Sequence, residues 1–106
     1  MGVDETLLNE VVRRVLSVAR PERIVLFGSA AAGRMNRDSD IDLLVLEPTP
    51  RNPRKESVRI GDALRGLGFP FDVIVMDTER FEETKSLIGG ISYPASQTGR
   101  VIYEAA

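Results

Sequence analysis

The chain has 106 residues, of which 42% are hydrophobic, and its formal net charge is −2 at pH 7. This length and apolar content predict one domain, residues 1–106, with a modest core, and the small net charge argues against strong general binding to nucleic acid. Cysteine and histidine are both absent, which excludes disulfides, thiolate metal sites, histidine-ligated zinc and Ser-His catalysis.

The first predicted element is an amphipathic helix near the start of the chain. Asp4 is a suitable N-cap, and Pro21 is expected to end the helix. Apolar side chains recur at intervals of four on two adjacent rows: Leu7, Leu8, Val11, Val12, Val15, Leu16 and Ala19. We expect this helix to pack over a sheet.

Two strands follow, at residues 24–27 and 41–46. The first ends at Gly28-Ser29, and the second opens on Asp40-Ile41-Asp42. Because the connection is too short for a full parallel crossover with its helix, the two strands could form a hairpin. Residues 47–50 then predict a break in the chain.

The residues around this connection combine a turn suited to anions with two carboxylates. Asp40 and Asp42 lie two positions apart in a strand, so both side chains project to the same face. Carboxylates this close repel unless a cation neutralises them, and Mg²⁺ prefers such oxygen ligands together with substrate phosphates. Gly28 lets a phosphate approach the backbone, and Ser29 can cap a helical turn whose free N–H groups bind anions. The alternative is that both aspartates are solvated strand-entry residues and Ser29 a plain cap.

The P-loop, a phosphate-binding motif with the same spacing of two glycines, is rejected for this stretch. Gly28 and Gly33 are spaced as in a P-loop, but Arg34-Met35 occupy the positions of the lysine and the Ser/Thr that the P-loop requires. Arg34 and Arg37 could instead contact triphosphate oxygens. The alternative is that they are solvated loop cations.

A basic helix is predicted over residues 52–68. Asn52 suits the N-cap, Pro53 the first helical position and Gly68 the C-terminal stop. An apolar stripe at helical spacing would face the core: Ile60, Ala63, Leu64 and Leu67. The basic side chains form either a solvated face or a contact for an acidic partner: Arg51, Arg54, Lys55, Arg59 and Arg65.

The third strand, residues 71–76, carries one carboxylate among apolar side chains. Asp72 shares a face with Ile74 and Met76, and a carboxylate there is costly unless it is paired or liganded. The alternative is an edge-strand aspartate that faces water. Asp77 suits the N-cap of a helix over residues 78–87, and a short helix at 92–98 and an edge strand at 99–103 complete the chain. The elements predict a small α/β (α+β) fold, a mixed sheet flanked by helices.

The stretch GSAAAGRMNRDSDIDLLV, residues 28–45, resembles the polymerase-β-type nucleotidyltransferase superfamily. Its signature is Gly-Ser, a spacer (ten residues here), then Asp-hydrophobic-Asp, and residues 39–43 match the fuller pattern Ser-Asp-x-Asp-Leu. The stretch is most similar to the minimal nucleotidyltransferases (MNT), many of which are antitoxins encoded beside an α-helical HEPN partner. The resemblance implies the palm-type mixed sheet of that superfamily.

The resemblance also implies an activity and roles for individual residues. The protein would use Mg²⁺, as two ions, to transfer a nucleoside monophosphate, AMP from ATP, to a hydroxyl. Asp40, Asp42 and Asp72 would be the catalytic and metal-holding carboxylates, with Asp72 in the place of the family's third acidic residue. The nucleotide-binding residues would be Gly28, Ser29, Arg34, Arg37 and Ser39.

The acceptor implied by the resemblance is a tyrosine hydroxyl on the HEPN partner, which would make the protein an antitoxin. Two alternatives stay open: a weak or inactive nucleotide-binding antitoxin that neutralises its partner by contact, and a nucleotide sensor without turnover. No apolar run approaches the length of a membrane span and no signal peptide is visible, so we expect a cytoplasmic protein that does not bind membranes.

Overall fold

A four-stranded mixed sheet organises the computed structural model, which describes residues 4–28, 40–86 and 99–105. The described elements are α1 (Glu5–Val18), β1 (Arg23–Phe27), β2 (Ile41–Glu47), α2 (Pro53–Ala63), β3 (Phe71–Asp77), α3 (Thr78–Thr84) and β4 (Arg100–Glu104). The predicted helix at 92–98 and the end of the predicted helix at 78–87 lie outside the described residues.

The strands lie in the order β3-β2-β1-β4. β1 and β2 pair antiparallel, which confirms the hairpin, and β2 pairs parallel with β3. β4 pairs antiparallel with β1 and forms the edge predicted for the last strand. β3 forms the opposite edge of the sheet. The mixed sheet and its flanking helices confirm the predicted α+β class.

The two faces of the sheet carry separate hydrophobic clusters. On one face α1 and α2 pack against alternate strand residues, and Leu8, Val11, Val15 and Ile60 meet Ile24, Leu26, Ile41, Leu43 and Val45. On the other face Phe81 of α3 packs against Val25, Leu44 and Leu46, with Ile74 and Met76 beside them. The period-two alternation of the strands therefore holds, and β2 is buried on both faces along most of its length.

The helix starts follow the predicted capping chemistry. Asp4 accepts a hydrogen bond from the N–H of Thr6 at 2.7 Å, and Asn52 accepts one from the N–H of Lys55 at 3.1 Å. Asp77 caps α3 through the N–H of Glu79 at 2.8 Å, as predicted. These side-chain oxygens satisfy N–H groups that have no partner within the helix.

The end of α2 differs from the prediction. The helix stops at Ala63 rather than at Gly68. The N–H of Leu64 donates to the carbonyl of Gly61 at 3.1 Å, so the chain tightens into a turn of the i→i−3 type. Gly66 then takes a φ of +88°, a left-handed conformation that ends a helix. Among the described residues, no helix is long and apolar enough to cross a bilayer.

Glu47, predicted to lie in a break, is instead the last residue of β2 and is only 7% exposed. It lines an open cleft of about 490 Å³ together with Arg20, Arg51, Lys55 and Glu56. Burial and then the neighbouring Glu56 carboxylate raise the pKa of Glu47 from 4.5 to about 7, while Arg59 offsets part of this effect. Arg59 also donates through Nε to Glu56 at 3.0 Å.

This burial predicts a pH dependence of stability. Because the pKa of Glu47 is higher in the folded state, the folded protein binds more protons, and stability should fall as pH rises from about 4.5 to about 7. Glu47→Gln removes the titration, so at pH 8 the variant should be more stable than the wild-type protein by up to about 3 kcal/mol. Urea unfolding at pH 5 and pH 8 measures this difference.

The matched control is Glu83→Gln, since Glu83 is exposed on α3. It should leave the pH dependence of unfolding as it is in the wild-type protein. If Glu47→Gln shows the same loss of stability between pH 5 and pH 8 as the wild-type protein, Glu47 is not the group that titrates.

Candidate active site

Three strands meet at the end of the sheet where β1 finishes and β2 and β3 begin. In the β-sheet register Asp42 lies opposite Phe27 of β1 on one side and opposite Asp72 of β3 on the other. Residues paired across adjacent strands project to the same face. Asp42 and Asp72 therefore share the face of α3, and Asp40 directly precedes β2 at the same end of the sheet.

Gly28, the residue after β1, lies against the Asp42 carboxylate. Its φ is +70°, a left-handed conformation that residues with a Cβ seldom adopt. A Cβ built on Gly28 would overlap Oδ2 of Asp42 and lie 3.3 Å from its Cγ. Two independent constraints, the backbone conformation and the space occupied by Asp42, thus require glycine here.

The electrostatics of the site centre on Asp42. Its side chain is half-buried, whereas Asp40 and Asp72 are exposed. Burial, then the Asp72 carboxylate, then the Asp40 carboxylate raise the pKa of Asp42 above its ordinary value. Within the described ranges none of the three carboxylates forms an ion pair, so their repulsion is not offset there.

The oxygen atoms of these carboxylates are suitable ligands for Mg²⁺, but the three side chains do not form a ready metal site. Among residues 4–28, 40–86 and 99–105, no group of three or more acidic side chains is arranged so that it could hold a metal ion. The donors are hard oxygens, and Asp42 is a carboxylate whose two acidic neighbours disfavour its charge. A divalent cation would relieve this repulsion, so the donor set fits the ion that the resemblance implies.

The structure describes some of the predicted site residues and not others. Gly28, Asp40, Asp42 and Asp72 lie at one end of the sheet, as a common site requires. The nucleotide-binding predictions Ser29, Arg34, Arg37 and Ser39 lie outside the described residues.

The structure confirms the alternative for Asp72, an edge-strand aspartate that faces water, and not a costly carboxylate within an apolar strand. β3 is an edge strand and the Asp72 side chain is exposed, so water solvates the carboxylate. The proximity of Asp72 to Asp42 comes from the β2–β3 register. Sequence reasoning also missed the second constraint on Gly28, because the contact with Asp42 depends on the pairing of β1 with β2.

Comparison with known proteins identifies the family. The model of the nucleotidyltransferase domain matches residues 5–93. The chain therefore belongs to the nucleotidyltransferase domain family, and it resembles the MNT antitoxins within the polymerase-β-type superfamily. No curated protein matches the chain.

Three of the solved structures to which the fold is similar are toxin–antitoxin structures. One is a mutant of the MntA–HpeT complex with two aspartates replaced by glutamate: its TM-score is 0.69, with 16% identity over 92% of this chain and 73% of that one. A toxin–antitoxin structure with AMP-PNP has a TM-score of 0.65, with 18% identity over 92% of this chain and 73% of that one. A tri-AMPylated Shewanella oneidensis HEPN toxin in complex with MNT antitoxin has a TM-score of 0.64, with 14% identity over 95% of this chain and 72% of that one.

The contact between Gly28 and Asp42 generates a prediction. Gly28→Ala adds a Cβ that overlaps the Asp42 carboxylate and also strains the backbone, so we expect a loss of stability of about 2–4 kcal/mol. The carboxylate must move aside, so the binding of Mg-ATP that the family resemblance implies should weaken as well. Urea unfolding and calorimetric titration of Mg-ATP measure the two effects.

Two other glycines provide matched controls. Gly66 has a φ of +88° with open space around it, so Gly66→Ala should show only the cost of backbone strain, about 1 kcal/mol. Gly61 lies within α2 with open space and no unusual φ, so Gly61→Ala should stabilise the protein by about 0.5–1 kcal/mol. If Gly28→Ala costs no more than Gly66→Ala, the contact with Asp42 does not constrain the site.

Proposed function

We propose that the protein is a Mg²⁺-dependent nucleotidyltransferase that transfers AMP from ATP to a hydroxyl of a helical HEPN-type partner and so acts as an antitoxin. The observation that carries the proposal is the position of Asp42, which lies between the Gly28 backbone and the Asp72 carboxylate. Gly28, where the proposed phosphate-binding turn begins, is thereby adjacent to a pair of carboxylates. Such an arrangement suits a reaction whose reacting group is a phosphate.

Each residue has a distinct role in this proposal. Gly28 and Ser29 accommodate the β- and γ-phosphates, with Arg34, Arg37 and Ser39 as further nucleotide contacts. Asp40, Asp42 and Asp72 would hold Mg²⁺, which when bound supplies charge stabilisation to the phosphate oxygens. We assign the acceptor side to Asp72, because of the three carboxylates it is on the strand farthest from the Gly28 strand.

The transfer itself is a substitution at phosphorus. The acceptor hydroxyl oxygen forms a bond to the α-phosphorus of ATP, and the bond between the α-phosphorus and the bridging oxygen to the β-phosphate breaks. The products are the AMP ester of the acceptor and pyrophosphate, and Asp72 accepts the proton of the hydroxyl. The chain has no histidine, so carboxylates provide the base, and most of the catalysis is positioning and charge stabilisation.

The structural neighbours support the choice of nucleotide and partner. One holds AMP-PNP, an ATP analogue, and another contains an AMPylated HEPN toxin with its MNT antitoxin. In the MntA–HpeT mutant the replaced aspartates are two positions apart, the spacing of Asp40 and Asp42 here. By this likeness we infer AMP as the transferred group, a HEPN-type protein as the partner and the cytoplasm as the location.

A second candidate function is neutralisation of the partner by direct contact. It is favoured by one observation: among the described residues the carboxylates are not gathered into a group that could hold a metal ion. In that case the nucleotide site would be weak or inactive, and the antitoxin effect would not depend on ATP.

Asp42→Asn tests the proposed activity and its electrostatic basis together. The variant should lose nucleotide transfer, because a central metal-holding carboxylate is gone. It should also melt at a higher temperature than the wild-type protein in EDTA, since removal of one charge relieves the repulsion from Asp72 and Asp40. The gain in melting temperature from Mg-ATP should shrink, because a ligand stabilises the folded state by RT ln(1 + [L]/Kd).

The control is Asp62→Asn, since Asp62 is exposed on α2 and its ion pair with Arg65 lies at the surface. A surface change of this kind should alter stability by less than about 0.5 kcal/mol and leave transfer intact. Full transfer by Asp42→Asn would refute the proposed activity. If that variant loses transfer but still neutralises the partner, contact is the mechanism of inhibition.

A further inference from the structure

The described arginine and lysine side chains are unevenly paired with carboxylates. Most of them form ion pairs: Arg13, Arg14, Arg23, Arg59, Arg65, Lys85 and Arg100. Within residues 4–28, 40–86 and 99–105 no ion pair is formed by the others: Arg20, Arg51, Arg54, Lys55 and Arg80. All of these except Arg80 line two depressions that share Asn52 and Lys55, at the start of α2. The unbalanced positive charge of the described residues is therefore concentrated at one place.

One exposed stripe at the start of α2 carries most of this charge. Its members are spaced at intervals of three and four, as on one side of a helix, and all are exposed: Arg51, Arg54, Lys55 and Val58. Val58 is the apolar member and is 59% exposed. The core-facing side of α2 is the one that carries Ile60, which is fully buried. We call the four exposed residues the basic stripe, and none of them belongs to either core cluster.

The position of these cations is unfavourable for the helix itself. The N-terminus of a helix carries a partial positive charge, so cations in its first turn reduce stability. Arg54 and Lys55 lie in the first turn of α2, and the carboxylate in that turn, Glu56, is paired with Arg59. Charges placed against the demands of folding are expected at surfaces that have a function. The stripe is therefore better explained by a partner than by the helix.

The basic stripe lies away from the candidate active site. α2 packs on one face of the sheet, whereas Asp42 and Asp72 are on the other. Asp42 is near the start of β2 and Glu47 is at its end, roughly 17 Å away at about 3.3 Å per residue. Glu47 lines the same cleft as Arg51 and Lys55. A molecule bound to the stripe therefore leaves the carboxylate end of the sheet open.

We propose that the basic stripe is a docking surface for an acidic segment of a partner protein, one whose carboxylates flank an aliphatic side chain. The charges are complementary, and within the described residues no carboxylate has to be released from these cations first. Val58 lines a depression of about 440 Å³ together with Arg54 and Lys55, which gives an aliphatic side chain a place to pack. Arginine around an apolar centre is typical of protein interfaces. This inference does not depend on the proposed transfer of AMP.

The composition of the two depressions favours a protein over a nucleic acid as the partner. Both contain carboxylates, Glu47 and Glu56 in one and Asp62 in the other. These would repel the closely spaced phosphates of a nucleic acid, whereas a protein segment can place single charges between apolar groups. The exposed Val58 side chain also offers no hydrogen bond or charge to a phosphate backbone.

Binding of a labelled peptide measures the docking directly. The probe is Glu-Glu-Leu-Glu-Glu-Leu-Glu-Glu with fluorescein at its N-terminus, and its anisotropy should rise saturably as the wild-type protein is added. Raising NaCl from about 0.05 M to about 0.5 M should weaken the affinity by roughly tenfold, because salt screens exposed charges. A peptide with serine in place of leucine should bind more weakly, and one with lysine in place of glutamate should not bind.

Variants of the stripe locate the binding. Arg54→Glu with Lys55→Glu places carboxylates in the first turn of α2, where they suit the helix, so this double variant should fold and should weaken peptide binding by more than about tenfold. Val58→Ala should weaken it by roughly threefold. The matched control is Arg80→Glu, since Arg80 is an exposed cation on α3 without an ion pair among the described residues. It should bind the peptide as the wild-type protein does, and urea unfolding checks that each variant is folded.

The outcomes separate this inference from the proposed function. Asp42→Asn should bind the peptide like the wild-type protein, so docking stands even if no nucleotide transfer is found. Loss of peptide binding in Asp42→Asn would place the peptide at the carboxylate end of the sheet and overturn the inference. It is also overturned if the wild-type protein shows no saturable binding, if Arg80→Glu weakens binding as much as the double variant, or if polyuridylate binds the stripe more tightly than the peptide.

Discussion

The contact between the Gly28 backbone and the Asp42 carboxylate fixes the arrangement of the end of the sheet where the candidate site lies. Antiparallel pairing brings the end of β1 next to the start of β2, and Gly28, the residue after β1, has a positive φ. Only a residue without a Cβ leaves room for Asp42. Gly28 and the Asp42 carboxylate are therefore held together by strand pairing and not by long flexible side chains.

Within the described part of the chain, the face of the sheet that carries Asp42 and Asp72 is also the more weakly covered face. α1 and α2 bury one side of β1 and β2 under a continuous apolar cluster. On the other side the seven-residue α3 packs over Leu44, Leu46 and Val25, and Phe81 is its only buried residue. Asp42 and Asp72 continue the same rows of side chains beyond this cluster. The larger of the two apolar clusters formed by the described residues thus lies on the α1/α2 face, and the candidate site occupies the part of the other face where apolar residues give way to acids.

Much of this arrangement could be predicted from local sequence patterns. Helix caps at Asp4 and Asn52, the alternation along β3 and the hairpin all follow from short-range chemistry. The helix end at Ala63 could not, because the choice between an i→i−3 turn there and a continued helix depends on tertiary packing of Leu64. The choice between the two environments considered for Asp72 could not be made for a related reason: apolar neighbours in sequence do not reveal that a strand lies at an edge.

β2 carries a buried or half-buried carboxylate at each end, Asp42 and Glu47. Comparison of the two shows how the acid of a candidate metal site differs from an acid with a structural role. For both Asp42 and Glu47, burial and a nearby carboxylate raise the pKa, so the shift alone does not separate them. Glu47 faces α2, where the Glu56–Arg59 pair supplies a compensating cation. Asp42 faces two further acids and a bare glycine backbone, and no cation within the described part of the chain compensates it. The uncompensated charge is the one that a bound cation can neutralise, so the surroundings of each carboxylate, and not the direction of its pKa shift, make the Asp42 end of the strand the candidate site.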